Sequence, residues 1–221
     1  PTSAADDEVE RIVSDWDWSL DRLGLRVSTG PVVAFRTSEH HRAEAAPGHV
    51  PFLWLHNVGP MRIAWPEAKK RKPQYFAESA EVVSLLVPEQ NMVVLRRFSA
   101  KEQPRRLTAA PLLRGELPGD SVALENHLNY IVGSEDAFSP AKARGLAALL
   151  NSLLLDTYFR ISSGNTQVSA TELRRLPLPA PEILEDVGTL FASKRSEMPS
   201  VEESVGKALQ LDDVLLDAIR S

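Results

Sequence analysis

The sequence predicts an α+β protein, a mixed or antiparallel sheet followed by helices. Two observations carry this. Five or six short apolar runs, punctuated by Gly and Pro, occupy the chain up to residue 124, a pattern of strands and turns. From Ser139-Pro140 onward the apolar residues recur every three or four positions instead, which is the helical period.

Residues 6–23 read as a first helix, with Val9, Ile12, Val13, Trp16 and Leu20 at helical spacing and Gly24 to end it. Trp16 and Trp18 flank Asp17, so part of this stretch is expected to pack on the next element. Strand-like runs follow at 32–35, 52–56, 81–87 and 92–95, with weaker ones at 106–113 and 121–124. Residues 36–50 read as a long surface loop. Ser139 is a good N-cap and Pro140 suits a first turn. Leu146, Leu149, Leu150, Leu153, Leu154 and Tyr158 then carry a central buried helix to about Ile161. Ser169 and Glu172 form a capping-box pattern that opens a short helix. Leu176-Pro177-Leu178-Pro179 ends it in extended form. Residues 181–219 read as two or three more helices. The predicted organisation is an N-terminal helical segment (1–24), a main domain (25–180) and a C-terminal helical tail (181–221).

Composition narrows the function classes. With 43% hydrophobic and 25% charged residues, the 221-residue chain has the balance of an ordinary globular protein. No apolar run approaches the roughly 18–20 residues of a membrane span, so no membrane partner is expected. The N-terminus has no basic region followed by an apolar stretch and is not a secretory signal. It also lacks an initiator Met, so the natural chain is expected to be longer. There are no cysteines, which excludes disulfides, thiolate chemistry and cysteine zinc sites. Their absence fits a cytoplasmic location. Net charge is −5, yet residues 60–110 carry ten basic against five acidic residues, while both ends are acidic. Such asymmetry suits a surface that faces a polyanion on one side only.

No catalytic centre emerges. Amino-methyl transfer needs a Pro-Pro-aromatic loop, and the chain has no Pro-Pro dipeptide. A Gly-rich turn after a strand and a phosphate-binding loop are also missing. The five histidines, His40, His41, His49, His56 and His127, show no i, i+4 pairing beside a Glu, so no metal is expected. Glu67-Ala68-Lys69 resembles half of a nuclease site, but the nearest upstream Asp is Asp21. A solvated charged loop is the favoured reading.

Polyanion contacts are better represented. Lys69-Lys70-Arg71-Lys72 is a basic loop with an aromatic tail. It reads equally as a phosphate-neutralising loop and as a soluble surface turn. The stretch 96–106 places Arg96, Arg97, Lys101, Arg105 and Arg106 at the end of an apolar strand. Arg96 and Arg97 must point to opposite faces there. One is expected to face the polyanion and the other to pair with an acid such as Glu102. Asn126, His127 and Asn129 form a dense polar set that either reads base edges or caps a turn. Asn165 and Gln167 form a similar amide-rich turn after the buried helix.

These runs occur together and in order: residues 29–36, 94–106, 124–131, 145–152, 163–174 and 177–179. Over about residues 25–180 the chain resembles the C-terminal half of gamma-class, Taq-like N6-adenine DNA methyltransferases of bacterial restriction–modification systems. The resemblance implies a target-recognition domain, similar in fold to the specificity domains of type I restriction enzymes. It implies double-stranded DNA and the enzyme's own N-terminal catalytic domain as partners, and it allows a restriction endonuclease. AdoMet and the Asn-Pro-Pro-aromatic loop would lie in that N-terminal half, with no cofactor held here. The other half would flip the adenine out of the duplex and methylate it. On this reading the expected DNA contacts are Lys69, Lys70, Arg71, Lys72, Arg96, Arg97, Lys101, Arg105, Arg106, Asn126, His127, Asn129, Asn165 and Gln167. The rival readings are a protein-interaction subunit that docks a methylase or nuclease through the acidic tail, and a stand-alone nuclease.

Overall fold

The structure is a computed structural model that describes residues 3–67, 71–98, 105–163, 167–193 and 200–220. Helix α1 (Ala4–Ser14) is followed by strands β1 (Leu25–Thr29), β2 (His41–Arg42), β3 (His49–Leu53), β4 (Val58–Gly59), β5 (Arg62–Ile63) and β6 (Tyr75–Ala77). Then come β7 (Leu86–Pro88), β8 (Met92–Arg96), β9 (Ala109–Leu112), β10 (Ser121–Leu124) and β11 (Leu128–Gly133). The chain closes with α2 (Pro140–Asn151), α3 (Leu153–Ser162), α4 (Ala170–Arg175), α5 (Pro181–Ala192), α6 (Val201–Ala208) and α7 (Asp213–Arg220). The α+β class with mixed and antiparallel sheets is the one the sequence predicts. Among the described residues no helix is long and apolar enough to cross a membrane.

Two sheets and a helical layer stack on one another. The first sheet, β1-β11-β8-β9, is antiparallel throughout. The second, β2-β6-β3-β10-β7, is mixed, because β10 runs parallel to β3. Period-2 alternation explains how β8 serves both neighbours. Val93 and Leu95 join the helical core with Ile131, Leu146 and Leu150. Met92 and Val94 face the other way, onto Leu53, Val122 and Leu124 of the second sheet. The far side of the second sheet carries a third cluster around Phe52, Trp54 and Phe76.

Helices α2 and α5 meet backbone to backbone. A Cβ on Gly145 would lie 1.7 Å from the Leu184 carbonyl oxygen, and one on Gly188 would lie 1.8 Å from that of Ala141. Only glycine permits this approach.

Several local expectations are corrected. The first helix ends at Ser14 rather than near residue 23, because the chain turns so that Trp18 exchanges backbone hydrogen bonds with Leu178. The strand expected at 32–35 is a bridge at Val32 and a 3-10 turn at Ala34–Arg36, and the real strand is the preceding β1. The loop expected at 36–50 contains β2 and the start of β3. The buried helix divides at Ser152, whose backbone is extended and whose hydroxyl caps α3 by accepting the Leu155 N–H while it donates to Leu149 O. Strand β11 was concealed by Asn129 and Tyr130 in its interior.

Candidate nucleic-acid interface

The interface is built on a crossing of two chain segments. Gly30 N–H donates to Leu128 O, Val32 N–H to Leu124 O, and Asn126 N–H to Val32 O. A Cβ on Gly30 would sit 2.3 Å from Glu125 O, so the crossing requires glycine there. The turn Ala34–Arg36 emerges directly from it and holds Phe35 outward at 79% exposure, with the Arg36 guanidinium 5.4 Å from the ring centroid.

Beside this turn lies a hollow of about 570 Å³, lined by Phe35, Trp54, His56, Lys72, Asn126 and His127 among others. Two of its polar groups, Lys72 and His127, are held from below. Lys72 Nζ sits 4.5 Å from the Trp54 ring centroid, a cation–π contact that fixes the ammonium at the wall. Trp54 is fixed in turn by its indole N–H, which donates to Pro73 O at 2.6 Å. The His127 side chain is half exposed, and its Nδ1 lies 2.6 Å from the buried Glu125 carboxylate. The other Glu125 oxygen accepts the His127 backbone N–H at 3.0 Å. With Nδ1 facing a carboxylate, Nε2 is the ring nitrogen left for a ligand. Phe98 packs edge-on against the imidazole, with centroids 5.0 Å apart.

The Arg97 backbone pairs with His127 O and Val168 N–H, and its guanidinium donates to Asn126 O at 3.2 Å. Gln167, exposed, pairs with Phe98 through a β-bridge. Lys72, Arg97, Asn126, His127 and Gln167, distant in sequence, are thereby linked across one region. Arg71 is exposed next to Lys72.

Other expected contacts are elsewhere, and each has a physical reason. Asn129 is fully buried: its Nδ2 donates to Val168 O at 2.7 Å and its Oδ1 accepts from Thr29 at 3.0 Å. It joins sheet to loop and is not a surface reader. Arg96 turns inward and donates to Val58 O at 2.7 Å, and burial lowers its pKa from the usual arginine value. Arg105 pairs with Glu202 at 3.0 Å and donates to Asn151 O. Arg106 is 4% exposed, and its backbone N–H donates to buried Asp156. Arg96 and Arg97 do diverge as strand geometry requires, but Arg96 finds a carbonyl rather than an acid. Lys69, Lys70, Lys101, Glu102 and Asn165 lie outside the described residues.

Phe35, Arg36, Trp54 and Glu125 were not singled out from the sequence. A Gly-Pro turn followed within a few residues by an aromatic–arginine pair was the available signal for the first two. Among the described residues no cluster of three or more His, Asp or Glu groups could hold a metal ion.

No protein-family model matches the chain. Among curated proteins, the type II methyltransferase M.PstI of Providencia stuartii is 36% identical over 193 residues, covering 87% of this chain and 38% of that protein. The type II methyltransferase M.BsuBI of Bacillus subtilis is 36% identical over 197 residues, covering 89% of this chain and 39% of that protein. The chain thus spans about two fifths of the length of these relatives. Of solved structures, the type IIG restriction endonuclease BpuSI aligns with 98% of this chain and 33% of its own at TM-score 0.49 and 11% identity. The HsdS subunit from Thermoanaerobacter tengcongensis aligns with 97% of this chain and 50% of its own at TM-score 0.37 and 9% identity. Neither superposition is close enough to carry an argument about this chain. The sequence matches do carry one: as the motifs implied, this chain is a relative of the type II methyltransferases, corresponding to one part of them over nearly all of its length.

Proposed function

We propose that this chain recognises double-stranded DNA in a sequence-specific manner, as the specificity part of an N6-adenine DNA methyltransferase of a restriction–modification system. The observation that carries the reading is the convergence of Lys72, Asn126 and His127 around one hollow, with Lys72 held on Trp54, His127 on Glu125 and the Asn126 backbone carbonyl on Arg97. Fixed polar groups lose little entropy when they meet a rigid duplex.

The roles follow from chemistry. Arg36, Arg71 and Lys72 neutralise phosphates, and displaced counterions make that contribution salt-dependent. Asn126 offers an amide that matches the N6/N7 edge of adenine, and His127 offers Nε2 to a base edge in the major groove. Arg97 braces the turn that presents both. In the absence of a catalytic loop, methyl transfer falls to the remainder of a longer parent protein. AdoMet is assigned to that remainder, where the resemblance puts the catalytic loop. The tightly packed glycines, Gly30, Gly145 and Gly188, are spent on contact with protein backbone and form no cradle for a cofactor. No step of the reaction is therefore assigned to this chain.

Selection of duplexes from a random pool by the complete parent protein tests the reading. One enriched site is expected, bound at least a thousandfold more tightly than scrambled DNA at physiological salt, the lower end of the usual range (~10³). Equal affinity for both would refute it. Removing residues 181–221 would strip α5 from α2, so point variants at the surface are the informative controls.

A further inference from the structure

We infer that Phe35 is a wedge that stacks on or enters a base step of the bound duplex, with Arg36 gripping the adjacent phosphate. The inference rests on the DNA-recognition reading and adds to it a specific distortion of the DNA.

Phe35 is one of three large hydrophobic residues exposed among the described residues, with Val83 and Val214, and it is the aromatic one. Its exposure is imposed by the backbone. The crossing at Gly30 and Val32 anchors the loop, Arg36 N–H donates to Val33 O at 2.9 Å, and Thr37 N–H closes the turn on Ala34 O. The Thr37 hydroxyl adds a bond to Val33 O and contacts His41. These contacts fix the Phe35 backbone and with it the direction of the Cα–Cβ bond.

The surroundings favour a nucleobase over a protein surface as the occupant. The apolar surface beside Phe35 is confined to Ala34, Trp54 and Leu55 in the hollow, and the exposed residues that follow it in sequence are Arg36, Ser38 and Glu39. The hollow beneath the ring is rimmed by Lys72, Asn126 and His127. A single rigid ring flanked by cations matches the geometry of apolar side chains that part a base step while basic groups hold the backbone.

The test uses the complete parent protein and its selected duplex, with 2-aminopurine placed at each purine position in turn. The wild type should brighten 2-aminopurine at one step besides the target adenine, which the catalytic half flips out independently. Phe35→Ala should abolish that signal and weaken binding about ten- to a hundredfold, the usual range for loss of one aromatic–base stack. The slope of log affinity against log salt should stay unchanged, because no phosphate contact is removed. Phe35→Trp should restore both signal and affinity. At so exposed a position the thermal midpoint should not move. If the wild type selects a site but Phe35→Ala changes neither signal nor affinity, the wedge is refuted and the recognition reading survives. If affinity falls while no position other than the flipped adenine brightens, the ring docks on protein and the wedge is again refuted. If the wild type selects no site, both fall together.

Discussion

Two groups of cations from the same basic middle of the sequence have opposite fates. Arg96, Arg105 and Arg106 turn into the protein, while Lys72 stays at the hollow and Arg97 supports its rim through the Asn126 carbonyl. The difference lies in which partners the fold brings near. Glu202 of α6 and Asp156 of α3 come from the acidic and helical end of the chain and meet Arg105 and the backbone of Arg106. Arg96 meets the carbonyl of Val58. A buried cation must find such partners, because its desolvation is otherwise too costly. Lys72 lies on the Trp54 face, while Arg97 reaches the Asn126 carbonyl and lies over Phe98; among the described residues neither pairs with an acid, which leaves the exposed Lys72 open to a polyanion. Clustering of basic residues in sequence therefore does not define a binding surface. The distribution of acids on later helices decides which of them remain available.

The largest expected effect is on the inward group. Asp156 accepts the backbone N–H groups of Arg106 and Leu107 and pairs with Arg160 at 2.8 Å. Asp156→Ala should cost about 3–5 kcal/mol in urea unfolding, since it strands buried donors. DNA affinity per folded molecule should be unchanged. Next, Asn126→Ala should leave stability intact and lose about 1–3 kcal/mol of discrimination at one base pair, read by competition with single-substitution duplexes; His127→Ala should lose similar discrimination but also stability, because it strips a partner from the buried Glu125 carboxylate. Lys72→Ala should weaken binding to all duplexes alike and reduce the salt slope by about 0.9.

The smallest effect concerns the wall that supports Lys72. His41 packs among Phe52, Trp54 and Phe76, and burial is the first cause that lowers its pKa from the ordinary histidine value. Glu39 opposes this shift, while His40, Lys72 and Arg42 add to it. The folded state therefore prefers neutral His41. The stabilisation is full above the unfolded value of about 6.5. It is lost as pH falls through the lowered folded value, since the unfolded chain binds the proton first. His41→Gln should lose less stability than the wild type between neutral and mildly acidic pH in paired thermal melts.

How much was legible in the sequence follows the same division. The strand β8 and the capped starts of α2 and α4 were read correctly, because periodicity and capping are local. The cluster at 126–127 was legible as polar, but its partition was not. Asn129 has the same chemistry as Asn126, and only strand pairing with β1 and β8 sends it inside. The inward turn of Arg105 and Arg106 depended on acids some 50 and 97 residues away, beyond any local pattern. Phe35 was hidden because its role derives from a crossing with residues 124–128. Type, spacing and charge are visible locally. Availability is a property of the packed whole.

The most direct test compares salt slopes for two variants of the complete parent protein on one selected duplex. Lys72→Ala combined with Arg71→Ala should flatten the slope by nearly two units, since each lost phosphate contact removes about 0.9, whereas Arg105→Ala should leave the slope of the wild type and lower only stability. An Arg105→Ala slope as flat as that of the double variant, or a double variant that keeps the wild-type slope, would contradict the assignment of the hollow as the DNA-facing surface.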